Sequence, residues 1–424
     1  MDDRSSRRQR ISDRRSDDLA LPLRQPAWRM FLSPDTGART RGDVLITGAT
    51  GFLGMELMAR LLEGGDRRVW ALVRAPSQKA ATERLRATLT SLMGDAEPYA
   101  DRVEAVAGDL LSPGLGVSPR RRDELAEQVD EVIHAAASVS FSLPLAEARE
   151  INVAGTQRVL ELASWIQRRG GLHRFAHVST AYVAGTHHGL FGEDDLERGQ
   201  GFNNTYERSK WEAEVVVRAH HSRLPVQVFR PSIVVGDERS GWTPSFNVIY
   251  TPLRAYASGT LPVVPARRSA LVDVVPVSYV ARAILALADA GAGKTFNLAA
   301  GPAAGTVGEL IDRAAAHLER PPARVLPPPL YKSVVHPLLL RRANPAQRRW
   351  LERGEVFFPY FASRLRFDVS AARAGLEPID IRVPRVDAYL DRLLEFAVRA
   401  NWGRRPVGRA EAGAGVRAVV ASAA

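Results

Sequence analysis

Cysteine is missing from all 424 residues, which excludes disulfides, thiolate metal sites and a cysteine nucleophile, and suits a reducing compartment. Lysine is nearly missing. Of 58 cationic side chains only Lys79, Lys210, Lys294 and Lys332 are lysine, and the rest are arginine. No segment reaches the roughly 18 uncharged apolar residues that a membrane span needs. The opening MDDRSSRRQRISDRRSDD leads into no apolar stretch of the kind a secretory signal requires. The expectation is a cytoplasmic protein with at most peripheral membrane contact.

The net charge of +11 is unevenly spread: residues 1–41 carry a net +4 and residues 401–424 a net +3, which leaves +4 for the body. Both ends are rich in Arg, Ser, Gly and Ala and lack apolar periodicity, so 1–41 and 401–424 read as disordered basic tails. The basic surplus therefore predicts no nucleic-acid partner.

Between the tails, short β-branched runs alternate with amphipathic stretches. VLIT (44–47), RVWALV (68–73), VEAVAG (103–108), EVIHAA (131–136), FAHVST (175–180) and VQVFRP (226–231) read as strands. The segments 55–63, 152–166 and 206–219 read as helices. Such alternation predicts an α/β fold, a Rossmann-like doubly wound parallel sheet. The expected organisation is an NADP-binding domain over 42–240 and a smaller C-terminal substrate-binding region over 241–400, with sheet-completing elements near 271–300. The Pro- and Arg-rich stretch 320–361 carries no periodicity that names an element.

TGATGFLG follows the first strand and opens a helix, which is the context that gives a glycine pattern weight. Gly48 permits the tight turn, Gly51 lets backbone amides approach a pyrophosphate, and Gly54 allows close helix packing. Thr50, Phe52 and Leu53 complete the expected cradle at the helix N-terminus. At the end of the second strand stands LVRA, with Arg74 where an NAD-binding protein carries an acid. A guanidinium there suits the 2′-phosphate of NADPH, and Arg84 is placed to assist. GDL offers Asp109 and Leu110, and HAAA supplies Ala135, Ala136 and Ala137 where the cofactor backbone passes. Pro231 and Ile233, after the sixth predicted strand, complete the expected cofactor contacts.

Tyr206 and Lys210, in TYERSKWEAE, are the only Tyr four residues ahead of a Lys. That spacing sets both on one helix face, one turn apart. An ammonium is a compact charge that can sit beside a phenol and lower its pKa, which a planar guanidinium does less well. Tyr206 is thus the expected proton donor to a carbonyl receiving hydride, and Lys210 its partner and a ribose contact. Thr180, with Ser179 as the alternative, ends the fifth strand at the ligand-binding edge and is expected to hold the substrate oxygen. No metal site is expected: His187 and His188 are a loop pair without a suitably spaced acid. GAGKTF (291–296) lacks the first glycine of a P-loop and follows a helix rather than a strand.

Taken in order, TGATGFLG, LVRA, GDL, HAAA, NVAGT, HVSTAYVAG, YERSKWEAE and RPSIVVGD resemble the extended short-chain dehydrogenase/reductases over roughly 43–300. Within them the wording resembles the thioester reductase and fatty acyl-CoA reductase branch, the male-sterility-type NAD-binding family. The resemblance implies a Thr180–Tyr206–Lys210 triad, NADPH, a structural Asn152 near the site, and an acyl substrate carried on CoA or a carrier protein. A homodimer through helices beside the active site is the expectation for such proteins. Two other readings share the motifs: an epimerase, dehydratase or hydroxysteroid-type dehydrogenase using the same triad, and a non-catalytic NADPH sensor, whose mark would be a broken triad.

Overall fold

The computed structural model describes residues 42–260, 263–342, 348, 355–361 and 363–415. Residues 1–41, and with them the expected N-terminal tail, lie outside the described residues.

Seven parallel strands form the central sheet: β1 (Asp43–Thr47), β2 (Val69–Val73), β3 (Val103–Ala107), β4 (Val129–His134), β5 (Arg174–Val178), β6 (Val226–Pro231) and β7 (Thr295–Leu298). Their spatial order is β3-β2-β1-β4-β5-β6-β7. Residue Ile46 of β1 lies beside Ala71 on one side and Ile133 on the other. The chain thus leaves β1 in one direction and returns to its other side with β4, and the resulting crevice at the carboxyl edge is where open α/β sheets take ligands.

Among the described residues nine α-helices have eight residues or more: α1 (Phe52–Gly64), α2 (Gln78–Met93), α3 (Pro119–Gln128), α4 (Gly155–Arg169), α5 (Thr205–Arg218), α6 (Tyr250–Ala257), α7 (Val277–Ala286), α8 (Val307–His317) and α9 (Leu390–Arg399). Successive strand residues point to opposite faces. Val44 and Ile46 accordingly pack with α1, α2 and α7, while Leu45 packs with α3 and α4. Both faces are covered, which is why the strands are nearly continuous apolar runs rather than alternating ones. The fold is the expected Rossmann-like one.

A second core collects Tyr250 of α6, Leu310 of α8, and Leu393 and Leu394 of α9. The segment α7–β7 interrupts this subdomain and returns to the sheet edge, where Thr295 pairs with Val228. The described parts of the stretch 320–361 have regular structure after all. Arg324–Leu326 pairs in parallel with Val263–Pro265, a helical run begins at Pro328 and ends in His336–Arg342, and Glu355–Phe361 forms 3-10 turns. Prolines at the ends of these short pieces interrupt the periodicity that would have announced them.

One expectation needs correction. Residues 401–415 are not a disordered tail: the Trp242 indole donates to the Val407 carbonyl at 3.1 Å, and Arg409 reaches Glu56 at 2.9 Å and Glu63 at 2.6 Å. Ala412 is fully buried. Small residues and paired arginines there dock onto α1 rather than dissolve. Residues 416–424 lie outside the described residues. Among the described residues no helix is long and apolar enough to cross a membrane.

Candidate active site

Glycines let the turn after β1 pass close to its neighbours at the crevice. Gly48 adopts φ +77°, and a Cβ there would come within 2.7 Å of the Ala136 amide nitrogen. At Gly54 a Cβ would lie 2.0 Å from the Gly48 carbonyl oxygen, so α1 can approach β1 only with glycine at that position. Gly51 stands exposed as the N-cap of α1, and no side chain caps the helix. Uncapped amides at a helix start attract an anion, and the bare, positively polarised surface fits the pyrophosphate of a dinucleotide.

From this turn a cavity of about 1200 Å³ extends across the carboxyl edge of the sheet. Thr50, Phe52, Leu53, Ala135, Ala137, Pro231 and Ile233 line it together with the three turn glycines. Thr180, Tyr206 and Lys210 line it as well, so one space brings the glycine turn and the predicted triad together. Among the described residues of its wall, Lys210 is the sole charged side chain.

Other predicted contacts stand outside that wall. Ala136 is spent on packing against Gly48, with its amide donating to Thr47 Oγ1. Arg74 is exposed just beyond β2, and the Arg84 guanidinium donates to its carbonyl at 2.9 Å, which brings the two arginines together. Asp109 turns its carboxylate into its own loop, where Oδ1 accepts from the Leu111 amide. Leu110 lies where a Cβ on Gly155 would meet it, and its carbonyl accepts from Arg158. Asn152 is committed in the same way: it accepts from the Ser138 amide and donates to the Ser138 carbonyl and to Ser209 Oγ at 2.9 Å. Its polar atoms therefore tie Ser138 to α5.

Helix α5 owes its start to Asn204, whose side chain accepts from the Glu207 amide. Tyr206 and Lys210 then sit one turn apart. Lys210 is 2% exposed and donates to the Val178 carbonyl at 2.8 Å. Burial lowers its pKa to about 8, against the opposing pull of Glu214. Burial likewise pushes the Tyr206 phenol up to about 12; the Thr180 hydroxyl works against this shift and the Glu207 charge adds to it. The Lys210 ammonium is directed at the Val178 carbonyl, and desolvation dominates the shift of the phenol. Tyr206 is consequently held as a neutral donor.

Between the two hydroxyls at the end of β5, geometry separates the roles. Ser179 Oγ donates to the buried Glu214 carboxylate at 2.7 Å, which also accepts from the fully buried Arg230 and from Arg218. Thr180 Oγ1 caps its own turn by accepting from the Tyr182 amide and reaches the Tyr206 phenol. Beneath them His134 is held between Thr47 and Thr156, and burial lowers its pKa to about 3, so it stays neutral.

Several site residues carried no usable sequence signal. Phe141, from the loop after β4, stacks on Tyr206 at 5.5 Å and on Tyr360 at 5.7 Å. Tyr182 meets Tyr360 edge-on at 5.0 Å. Phe357 and Tyr360 come from the Pro- and Arg-rich stretch, some 150 residues from the triad, and only the fold brings them there. Glu207, adjacent to Tyr206, was legible as a residue but not as a buried one.

Comparison with known proteins places this geometry. Residues 46–284 match the model of an NAD-binding family described as male sterility protein. The L-2-aminoadipate reductase large subunit of Eremothecium gossypii is 31% identical over 288 residues, which is 63% of this chain and 20% of that protein. Fatty acyl-CoA reductase 1 of Xenopus laevis is 31% identical over 281 residues, 58% of this chain and 54% of that protein. Among solved structures, the terminal R domain from the myxalamid PKS-NRPS biosynthetic pathway superposes with a TM-score of 0.75 at 27% identity, covering 87% of this chain and 94% of that one. The chain thus spans a fifth to about half of the length of these two curated relatives.

Proposed function

The chain belongs to the male sterility protein family, NAD(P)-dependent oxidoreductases of the extended short-chain dehydrogenase/reductase type, and on that premise we propose that it reduces an acyl thioester to an aldehyde with NADPH. The observation that carries the reading is one cavity holding both an unobstructed glycine turn and the Thr180–Tyr206–Lys210 group.

Bound NADPH supplies the hydride. Thr180 and Tyr206 direct their hydroxyls at the substrate oxygen and stabilise the negative charge that gathers there, which in a dry site amounts to several kcal/mol. Tyr206, kept neutral by burial, gives its proton to that oxygen. Lys210, protonated below about pH 8, offers charge to the phenolate left behind. The resulting hemithioacetal then breaks its C–S bond, so that thioester, NADPH and a proton become aldehyde, thiol and NADP⁺. Arg74 and Arg84 together suit the cofactor's 2′-phosphate.

The cavity wall also favours an uncharged acyl group. With Lys210 its sole charge among the described residues, a substrate bearing a carboxylate or ammonium on the acyl side, or a sugar diphosphate, would enter unpaired, which is costly. NADPH consumption against acyl-CoA, ketone and sugar-nucleotide panels tests this, with Tyr206→Phe alongside. Turnover of thioesters that the variant loses supports the reading; turnover of ketones or sugar nucleotides alone overturns it.

A further inference from the structure

A second, smaller cavity of about 70 Å³ lies inside the C-terminal subdomain, and its lining contains no charged residue. Ile249, Pro252 and Leu253 face it from the start of α6, Leu310 and Ala314 from α8, and Phe361 from the end of the 3-10 segment Glu355–Phe361. The polar end of Tyr256, which also borders it, is turned away: the hydroxyl donates to the Pro321 carbonyl at 2.8 Å. A cavity needs roughly 10–15 Å³ of such free space per water and two or more polar partners to keep it. This one has the space for several atoms and no partners, so it favours aliphatic carbon over water.

Its position relative to the active site is the informative point. Asn247, Val248 and Thr251 line the large cavity, while Ile249, Pro252 and Leu253 line the small one. The same alternation occurs at the other wall, where Tyr360 faces the large cavity and Phe361 the small one. The two spaces are therefore divided by two single thicknesses of chain. At the first of these Val248 adopts φ +48°, a left-handed conformation that a β-branched residue takes only at a cost. The divider is strained at Val248, which lines the large cavity next to Ile249 of the small one.

We propose that the small cavity is the binding site for the end of an aliphatic acyl chain, reached from the large cavity across the Val248–Ile249 divider. The inference rests on the thioester reading for its substrate, but its site is independent of turnover. A thioester carbon near Tyr206 leaves the chain running along the uncharged wall toward Val248 and Thr251. Relaxation of the strained divider would then admit the terminal methylenes between α6 and α8.

Two fillings test it: Ala314→Phe, at a buried position, and Ile311→Trp, at a partly exposed position of the same wall that tolerates bulk more readily. Turnover of butanoyl- to dodecanoyl-CoA and binding of decanoate, read by calorimetry, are measured for wild type and for each variant that retains the wild-type circular dichroism spectrum. The expected result is butanoyl turnover within about twofold of wild type, a tenfold or greater loss for decanoyl and dodecanoyl substrates, and weakened decanoate binding. Equal loss at all chain lengths, or an unchanged profile with unchanged decanoate binding, overturns the site. If no thioester is turned over by wild type but filling still abolishes decanoate binding, the site stands and the thioester reading falls. If neither turnover nor decanoate binding is seen in wild type, both fall.

Discussion

The Tyr360 hydroxyl donates to the buried carboxylate of Glu207, the residue that follows Tyr206 on α5. This contact joins the 3-10 segment Glu355–Phe361 to α5, and Phe141 stacks on the Tyr206 and Tyr360 rings beside it. The wall of the large cavity formed by Val356, Phe357 and Tyr360 is thereby fixed to the residue next to the proposed proton donor.

Removing that hydroxyl leaves the Glu207 carboxylate with only Asn203 as a side-chain donor. Tyr360→Phe should cost about 1–2 kcal/mol in the position of this wall, which corresponds to a rise in acyl-substrate KM of roughly 5–30-fold. NADPH affinity, read by fluorescence titration, should be unchanged because the cofactor lies against the glycine turn. A parallel loss of NADPH binding would show that Tyr360 supports the whole fold instead.

Lys210 ties activity to pH. Its folded pKa of about 8 lies below the ordinary lysine value, so the ammonium needed beside Tyr206 is present below pH 8 and lost as the pH rises through it. The kcat/KM for reduction, which reports the free enzyme, should fall above about pH 8. A flat profile to pH 9.5 contradicts the assignment.

The same depression predicts a stability effect of opposite sense. A folded state that binds fewer protons than the unfolded chain carries the cost of a buried ammonium in full below about pH 8, and sheds it as the pH rises toward the ordinary lysine value. Lys210→Met should therefore abolish turnover while leaving stability at pH 7 equal to wild type or higher by about 1–2 kcal/mol, since the freed Val178 carbonyl offsets part of the gain. Urea unfolding at pH 7 reads this directly. A loss of stability shows that the lysine is structural.

The proposed preference for NADPH rests on Arg74. Losing charge-assisted bonds to a phosphate costs about 1.5–3 kcal/mol, so Arg74→Ala should weaken NADPH binding by roughly 10–100-fold and leave NADH binding unchanged. Equal effects on both cofactors contradict a 2′-phosphate contact.

How much of this was legible in the sequence follows from how local each signal is. The six leading strands, the glycine turn after the first of them and the placing of Tyr206 and Lys210 one turn apart on a helix are set by contacts within a few residues, and the structure has each of these elements. Seeing that Asn152 and Asp109 turn into neighbouring loops requires knowing which atoms already satisfy them, and no spacing reports that. Tyr360, Phe357 and the small cavity arise from a stretch whose prolines break periodicity and whose partners are far away in the chain. The 401–415 segment looked like a tail because alanine and glycine carry little apolar signal, although its arginine finds two buried-side carboxylates on α1.

Hydride transfer to an acyl carbon is measured most directly by isotope. With decanoyl-CoA and NADPH deuterated at the transferred position of C4, the account predicts decanal carrying one deuterium at C1 by mass spectrometry, formed at a rate that drops at least a hundredfold in Tyr206→Phe. Aldehyde without deuterium, or labelled aldehyde formed equally fast by the variant, would contradict it.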